Sequence, residues 1–184
     1  MTIFRRKLGF TLAEILVALA LIALLAAVLL PTVAGQILKG DAGRVMQDLD
    51  AVRSGIDQFL ADIHRYPLKY SSLSKVIVIP ADSDITPNPY TTGLVNKWAG
   101  PYVTKDTISS VVATGYGGSI ANRFMKVQNT NGVNYVTIII TGISGADFDR
   151  IDLQLDGVVD RTGGLLRWVA GGGDSTKYLA TPIQ

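Results

Sequence analysis

From Phe10 to Leu30 the chain is almost entirely apolar, with Glu14 its one charge. Past Gly43 the pattern changes to a seam. Val45, Leu49, Val52, Ile56, Phe59 or Leu60, and Ile63 recur at alternating steps of four and three, which is one face of an amphipathic helix. Arg44, Asp48, Asp50, Arg53, Asp57 and Asp62 fall mostly off that face. The two patterns together predict one long helix from Phe10 to Ile63, about 80 Å if helical throughout at ~1.5 Å per residue. Its first half has only lipid or other subunits to bury against, and its second half has a domain of its own. Pro31 should interrupt the helix, because proline removes one backbone hydrogen bond and crowds the preceding turn. Gly35, Gly40 and Gly43 follow, so the stretch from Pro31 to Gly43 is expected to be weak in helix, kinked or able to melt and extend. The helix should stop at His64-Arg65-Tyr66-Pro67.

Residues 66–120 are irregular in pattern, with five prolines from Pro67 to Pro101. Ser74 to Ile79 reads as a strand or a short apolar tether. Trp98 and Tyr102, in Lys97-Trp98-Ala99-Gly100-Pro101-Tyr102-Val103, bring large apolar area with a polar handle each, and are expected to pack a loop onto the domain. Arg123 to Gln128 and Val133 to Thr141 flank Asn129-Thr130-Asn131-Gly132, and Asn-Gly between apolar runs signals a hairpin. Leu165 to Val169 makes a third strand. The expected fold class is α+β: a long N-terminal helix packed on a small antiparallel meander of three or four strands. Between strands two and three a short helix is expected. Ser144 caps it, Ile151 and Leu155 face the core, and Gly157 ends it.

Composition narrows the chemistry. With 184 residues there is room for about one domain. The absence of cysteine excludes disulfides, thiolate nucleophiles and zinc–thiolate sites. The net charge of +2 misleads: 17 basic residues less Arg5, Arg6 and Lys7 leave 14 against 15 acids, so nucleic-acid binding is not indicated. His64 stands alone at a helix end as a solvated residue. Gly171-Gly172-Gly173 lacks the lysine of a phosphate loop and reads as a flexible turn, so enzyme chemistry finds little support. Five aspartates from Asp147 to Asp160 invite a calcium hypothesis with Asp156 and Asp160 as ligands. The spacing, however, is not that of an EF-hand, and a capped helix explains the aspartates as well.

The N-terminus admits three readings. A cleaved secretory signal has an apolar core of about 7–15 residues, shorter than this one. A plain signal anchor fits the length and the preceding basic residues but leaves Glu14 unexplained. A carboxylate in a membrane costs about 2.5–3.5 kcal/mol on insertion scales and so points to function. In the third reading, Lys7-Leu8-Gly9-Phe10-Thr11-Leu12-Ala13-Glu14 resembles the prepilin processing site of type IV pilins and type II secretion pseudopilins. The resemblance implies cleavage between Gly9 and Phe10, N-methylation of Phe10 by a prepilin peptidase/methylase, and assembly through Phe10, Glu14 and Pro31. It divides the chain into a leader (1–9), a transmembrane and polymerising half-helix (10–35), an amphipathic half-helix (36–64) and a globular domain (65–184). Trp98 to Tyr102 is similar to a segment of pseudopilins, and Ile151 to Gly163 to one seen in many pilin-like proteins.

The resemblance implies a structural pilin that forms a helical homo-oligomer from the cytoplasmic membrane, with its N-terminus inside, after handling by assembly machinery. A pseudopilin of a periplasmic pseudopilus is the alternative, and a non-polymerising membrane-anchored binding module the more distant one. Physically, cleavage gives Phe10 a free amine beside apolar surface. Glu14, at i+4, could neutralise it within the chain, or a neighbour's Glu14 could do so across subunits.

Overall fold

The structure is a computed structural model and describes residues 10–115, 117–169 and 175–183. The chain divides after Gly40 into two compact units, each taken by itself below. Helix α1, Leu12–Ile63, belongs in its first part to one and from Asp41 to the other. Pro31 does not interrupt it: the helical span is continuous through Pro31 and the glycines after it. A proline inside a helix forfeits one hydrogen bond, which the flanking turns can absorb without ending the helix.

In the first unit, Leu12–Leu30 is long and apolar enough to cross a membrane, and none of it is buried within the protein. In the second, the predicted seam is the core. Val45, Leu49, Val52, Ile56, Phe59 and Ile63 are each no more than 3% exposed, and Phe59 rather than Leu60 takes the inward position. The helix ends at Ile63. His64 follows in the left-handed region (φ 58°), and its N–H donates to the Leu60 carbonyl at 2.8 Å.

The seam packs on one six-stranded antiparallel sheet. Its strands are β1 Val111–Ala113, β2 Ser119–Ala121, β3 Met125–Gln128, β4 Asn134–Thr141, β5 Leu166–Trp168 and β6 Ser175–Pro182. The order is β1-β2-β4-β6-β5, with β3 also paired to β4 alongside β2. The hairpin from β3 to β4 is as the sequence predicts. The third predicted strand is not β4's neighbour, because β6 lies between them and pairs with both. Val136, Ile138 and Ile140 of β4, with Tyr178 of β6 and Leu166 of β5, are buried and supply the sheet's half of the core. Burying one such side chain contributes about 1.5–3 kcal/mol. Thr181 Oγ1 donates to Asp57 Oδ1 at 3.0 Å, tying β6 to α1.

Between helix and sheet run short helices α2, Ser71–Ser74, and α3, Thr92–Val95. Lys75 to Ile79 forms no strand and is a tether that buries only Ile77. Helix α4, Gly145–Asp156, has the predicted caps. The Ser144 hydroxyl accepts from the Asp147 amide, and Gly157 sits at φ 76°, where a side chain would be strained. The expected turn at Gly171-Gly172-Gly173 lies outside the described residues.

The loop carrying Trp98 and Tyr102 lies against α1 at Gly55. A Cβ on Gly55 would stand 2.7 Å from Val103 Cγ1 and 3.1 Å from the Tyr102 carbonyl oxygen. Replacing glycine by alanine inside a helix ordinarily gains up to about 1 kcal/mol. Here overpacking should reverse the sign. Gly55→Ala is expected to cost about 1–3 kcal/mol in a thermal or denaturant melt of the full chain in detergent.

Candidate assembly site at the start of the long helix

The sequence Thr11-Leu12-Ala13-Glu14 folds into a capping box. Thr11 is the last residue before α1, and its carbonyl accepts the first helical bond, from the Ile15 amide at 3.3 Å. The Thr11 hydroxyl accepts from the Glu14 amide at 3.2 Å. Reciprocally, Glu14 Oε2 accepts from the Thr11 amide and the Thr11 hydroxyl, both at 2.9 Å. A helix start leaves several amides without partners, and this exchange satisfies two of them. The Ser/Thr-x-x-Glu signal for this motif stands in the sequence and was missed, because the glutamate was read only as a charge.

The capping box changes the expected pairing. Phe10 lies before the cap, outside the helix and 85% exposed, so it is not Glu14's neighbour on a helical i,i+4 face. A carboxylate at the first turn also lies where the helix dipole favours negative charge. Gly9, the residue before the expected cut, lies outside the described residues. Pro31 lies within α1, as described above.

The two expected metal residues are occupied with the backbone. Asp156 Oδ2 accepts from the amides of Leu165 at 2.8 Å and Leu166 at 3.3 Å. Asp160 Oδ1 accepts from the Thr162 amide at 2.9 Å and its hydroxyl at 2.8 Å. Asp152, missed in the sequence, is fully buried and accepts the Asp160 amide at 2.7 Å. Among the described residues its other oxygen meets no hydrogen-bond donor. Burial, followed by the nearby Asp156 carboxylate, pushes the Asp152 carboxyl above the usual range, while the Thr162 amide and hydroxyl hold Asp160 below it. Among the described residues no three His, Asp or Glu side chains converge as a metal site would require. This acidic stretch shapes the turn that leads into β5.

Trp98 and Tyr102 serve packing. Trp98 Nε1 donates to the Ser72 carbonyl at 2.9 Å, and the Tyr102 hydroxyl donates to Asp62 on α1 at 2.8 Å. Their rings meet edge to face at 5.5 Å, and Tyr102 meets Phe59 at 5.7 Å. His64 is exposed beyond the helix end.

Residues 4–30 match the model of the prokaryotic N-terminal methylation motif. Several type II secretion system core proteins G are similar to the chain. That of Escherichia coli is 27% identical over 103 residues, covering 53% of this chain and 71% of that protein. The Aeromonas hydrophila protein is 29% identical over 104 residues, covering 53% and 72%. The Klebsiella pneumoniae protein is 32% identical over 77 residues, covering 42% and 55%. No solved structure matches the chain.

The N-terminal segment carries a prepilin-type methylation motif, and the apolar helix followed by a helix-on-sheet domain is an α+β, pilin-like arrangement. For this pilin-type domain the buried Asp152 sets a pH response of definite sign. A carboxyl raised in the folded state binds more protons there than when unfolded, so its contribution to stability weakens as pH rises through its folded pKa. Asp152→Asn keeps an oxygen for the Asp160 amide and removes the titration. The variant's stability relative to the parent should therefore increase with pH from the ordinary carboxyl range upward, read from denaturant melts at stepped pH.

Proposed function

We propose that this protein is a structural subunit of a pilin-like filament, held in the cytoplasmic membrane by Leu12–Leu30 and polymerised through that helix after its leader is cut. The observation that carries this reading is the pairing of a fully uncovered apolar helix with a carboxylate fixed at its first turn. The bare helix is costly in water and the carboxylate is costly in lipid, and filament packing answers both. Arg5, Arg6 and Lys7 before the span keep the N-terminus on the cytoplasmic side. Cleavage after Gly9 by a prepilin peptidase would make Phe10 the terminus. Its amine would then stand one residue before the Thr11 cap, beside a carboxylate already in place. In this account the role is mechanical rather than catalytic.

Of the two filament types, the relatives favour the periplasmic pseudopilus of a type II secretion system, since those described above are named as its core protein G. A surface pilus is the second reading. It is favoured by the reach of the first two matches, which leave nearly half of this chain without a counterpart in those relatives.

Mass spectrometry of the protein from filament fractions is expected to find a chain that begins at Phe10 and carries one N-methyl group. A mature terminus elsewhere would overturn the filament reading. Immunogold imaging of intact and osmotically opened cells separates the two types: label confined to the periplasm supports the pseudopilus, and label on long surface fibres supports the pilus.

A further inference from the structure

Past α1 the chain pairs briefly with the segment that leads into β3, and two cations meet there. Lys69 and Arg123 are partners on an isolated antiparallel bridge. The Tyr70 amide donates to the Asn122 carbonyl at 2.7 Å, and the Phe124 amide to the Leu68 carbonyl at 2.8 Å. Residues directly opposite across such a pair turn their side chains to the same side, and like charges so placed repel. The fold answers only one of them. Lys69 Nζ donates to Asp82 Oδ1 at 2.9 Å and to the Ala81 carbonyl at 2.8 Å. The second oxygen of Asp82 accepts from the Val78 amide at 2.9 Å, so both oxygens of that carboxylate are engaged. Among the described residues the Arg123 guanidinium meets no carboxylate and no hydrogen-bond acceptor.

A cleft opens beside the pair, lined by Leu68, Lys69, Ser110, Ala121, Asn122 and Arg123. No carboxylate lines it. Asn122 Oδ1 accepts from the Ser71 amide at 2.8 Å, which fixes the side-chain amide and leaves both Nδ2 hydrogens unspent. Ser110 belongs to a two-residue hairpin in which Ile108 and Val111 exchange amide bonds at 2.8 and 3.1 Å. Ser109 (φ 51°) and Ser110 (φ 66°) are both left-handed, where glycine or asparagine is the usual choice. Side-chain-bearing residues held in that region cluster at binding sites, where the surrounding structure enforces the strain. Here the Ser110 carbonyl accepts the Asn122 amide at 3.0 Å, locking the turn beside the two cations. The Ser110 hydroxyl, like Asn122 Nδ2, makes no bond among the described residues.

These groups specify a ligand by what they lack. Lys69 and Asp82 cancel, so the cleft carries one uncompensated positive charge, that of Arg123. Its unspent polar groups are a guanidinium, an amide N–H₂ and a hydroxyl, all of them donors. A matching ligand supplies acceptors and one negative charge. The planar fork of arginine suits a carboxylate, which it grips through two parallel bonds. Leu68 and Ala121 give an apolar wall for a short aliphatic part.

We propose that the cleft between the Ser109–Ser110 turn and the Lys69–Arg123 bridge binds the carboxylate group of a small aliphatic ligand, gripped by Arg123 with Asn122 and Ser110 as further donors. The site lies wholly within the unit that begins at Asp41 and does not depend on the filament reading.

The test is a titration of the ¹⁵N-labelled full chain in detergent with sodium propionate, against sodium chloride at matched ionic strength. The Asn122 Nδ2 and Arg123 Nε resonances should move along a saturating curve in propionate and not in chloride. Arg123→Gln removes the charge from an exposed side chain, and should weaken binding at least tenfold without lowering the melting temperature. Lys97→Gln, at an exposed cation outside the cleft, should bind as the parent does. Shifts that rise without saturation, or that chloride reproduces, would overturn the proposal even if no variant folds. So would an Arg123→Gln protein that binds as tightly as the parent. Inorganic phosphate that saturates the same resonances at lower concentration than propionate would overturn the carboxylate assignment, and the cleft would then be a phosphate site.

Discussion

Helix α1 must satisfy two solvents with one continuous backbone, and the rest of the molecule is arranged around that demand. From Leu12 to Leu30 it is apolar on every side, so no fold of this chain alone can bury it. From Ala42 to Ile63 it is apolar on a single seam, which one sheet is enough to cover. The N-terminal part is therefore an interaction surface by composition, and the C-terminal part is the spine of a domain. The capping box at Thr11 and Glu14 lies where the first regime begins. There it keeps helix amides from standing unpaired near lipid.

The domain closes itself to unwanted association. The free side of β5 has its amides taken by Asp156 and by the Arg161 carbonyl, and that of β1 is bonded back to Ile108. Edges so occupied cannot recruit strands from other chains. Lys105 reaches Asp48 on α1 at 2.6 Å, and the Gly115 amide donates to the same carboxylate at 3.1 Å, holding the loop before β2 against the helix. The apolar first part of the long helix stays uncovered by the protein itself.

Much of this was readable from local pattern. The seam from Val45 to Ile63, the Asn-Gly hairpin and the Ser144 and Gly157 caps each rest on chemistry within a few residues, and all stand in the structure. Strand β6 was not seen, because Ser175-Thr176-Lys177-Tyr178-Leu179-Ala180-Thr181-Pro182 is half polar and becomes a strand only by lying between β4 and β5. Strands β1 and β2, three residues each among glycines and serines, are likewise products of pairing rather than propensity. Asp152 gave no sign of burial, since its role depends on the Asp160 amide eight residues on. At Glu14 the charge was legible and the cap was overlooked. The two are compatible: Thr11 fixes the carboxylate at the point where processing would create an amine.

Whether Glu14 acts by its charge or only as a cap is the centre of this account, and Glu14→Gln separates the two. Glutamine keeps a side-chain oxygen for the Thr11 amide but cannot neutralise a cation. The direct measurement is filament yield from cells that process and insert the variant normally. A fall of tenfold or more, with Phe10 still the mature terminus, is the predicted result. Filaments as abundant as those of the parent would show that the cap alone suffices and would contradict the account.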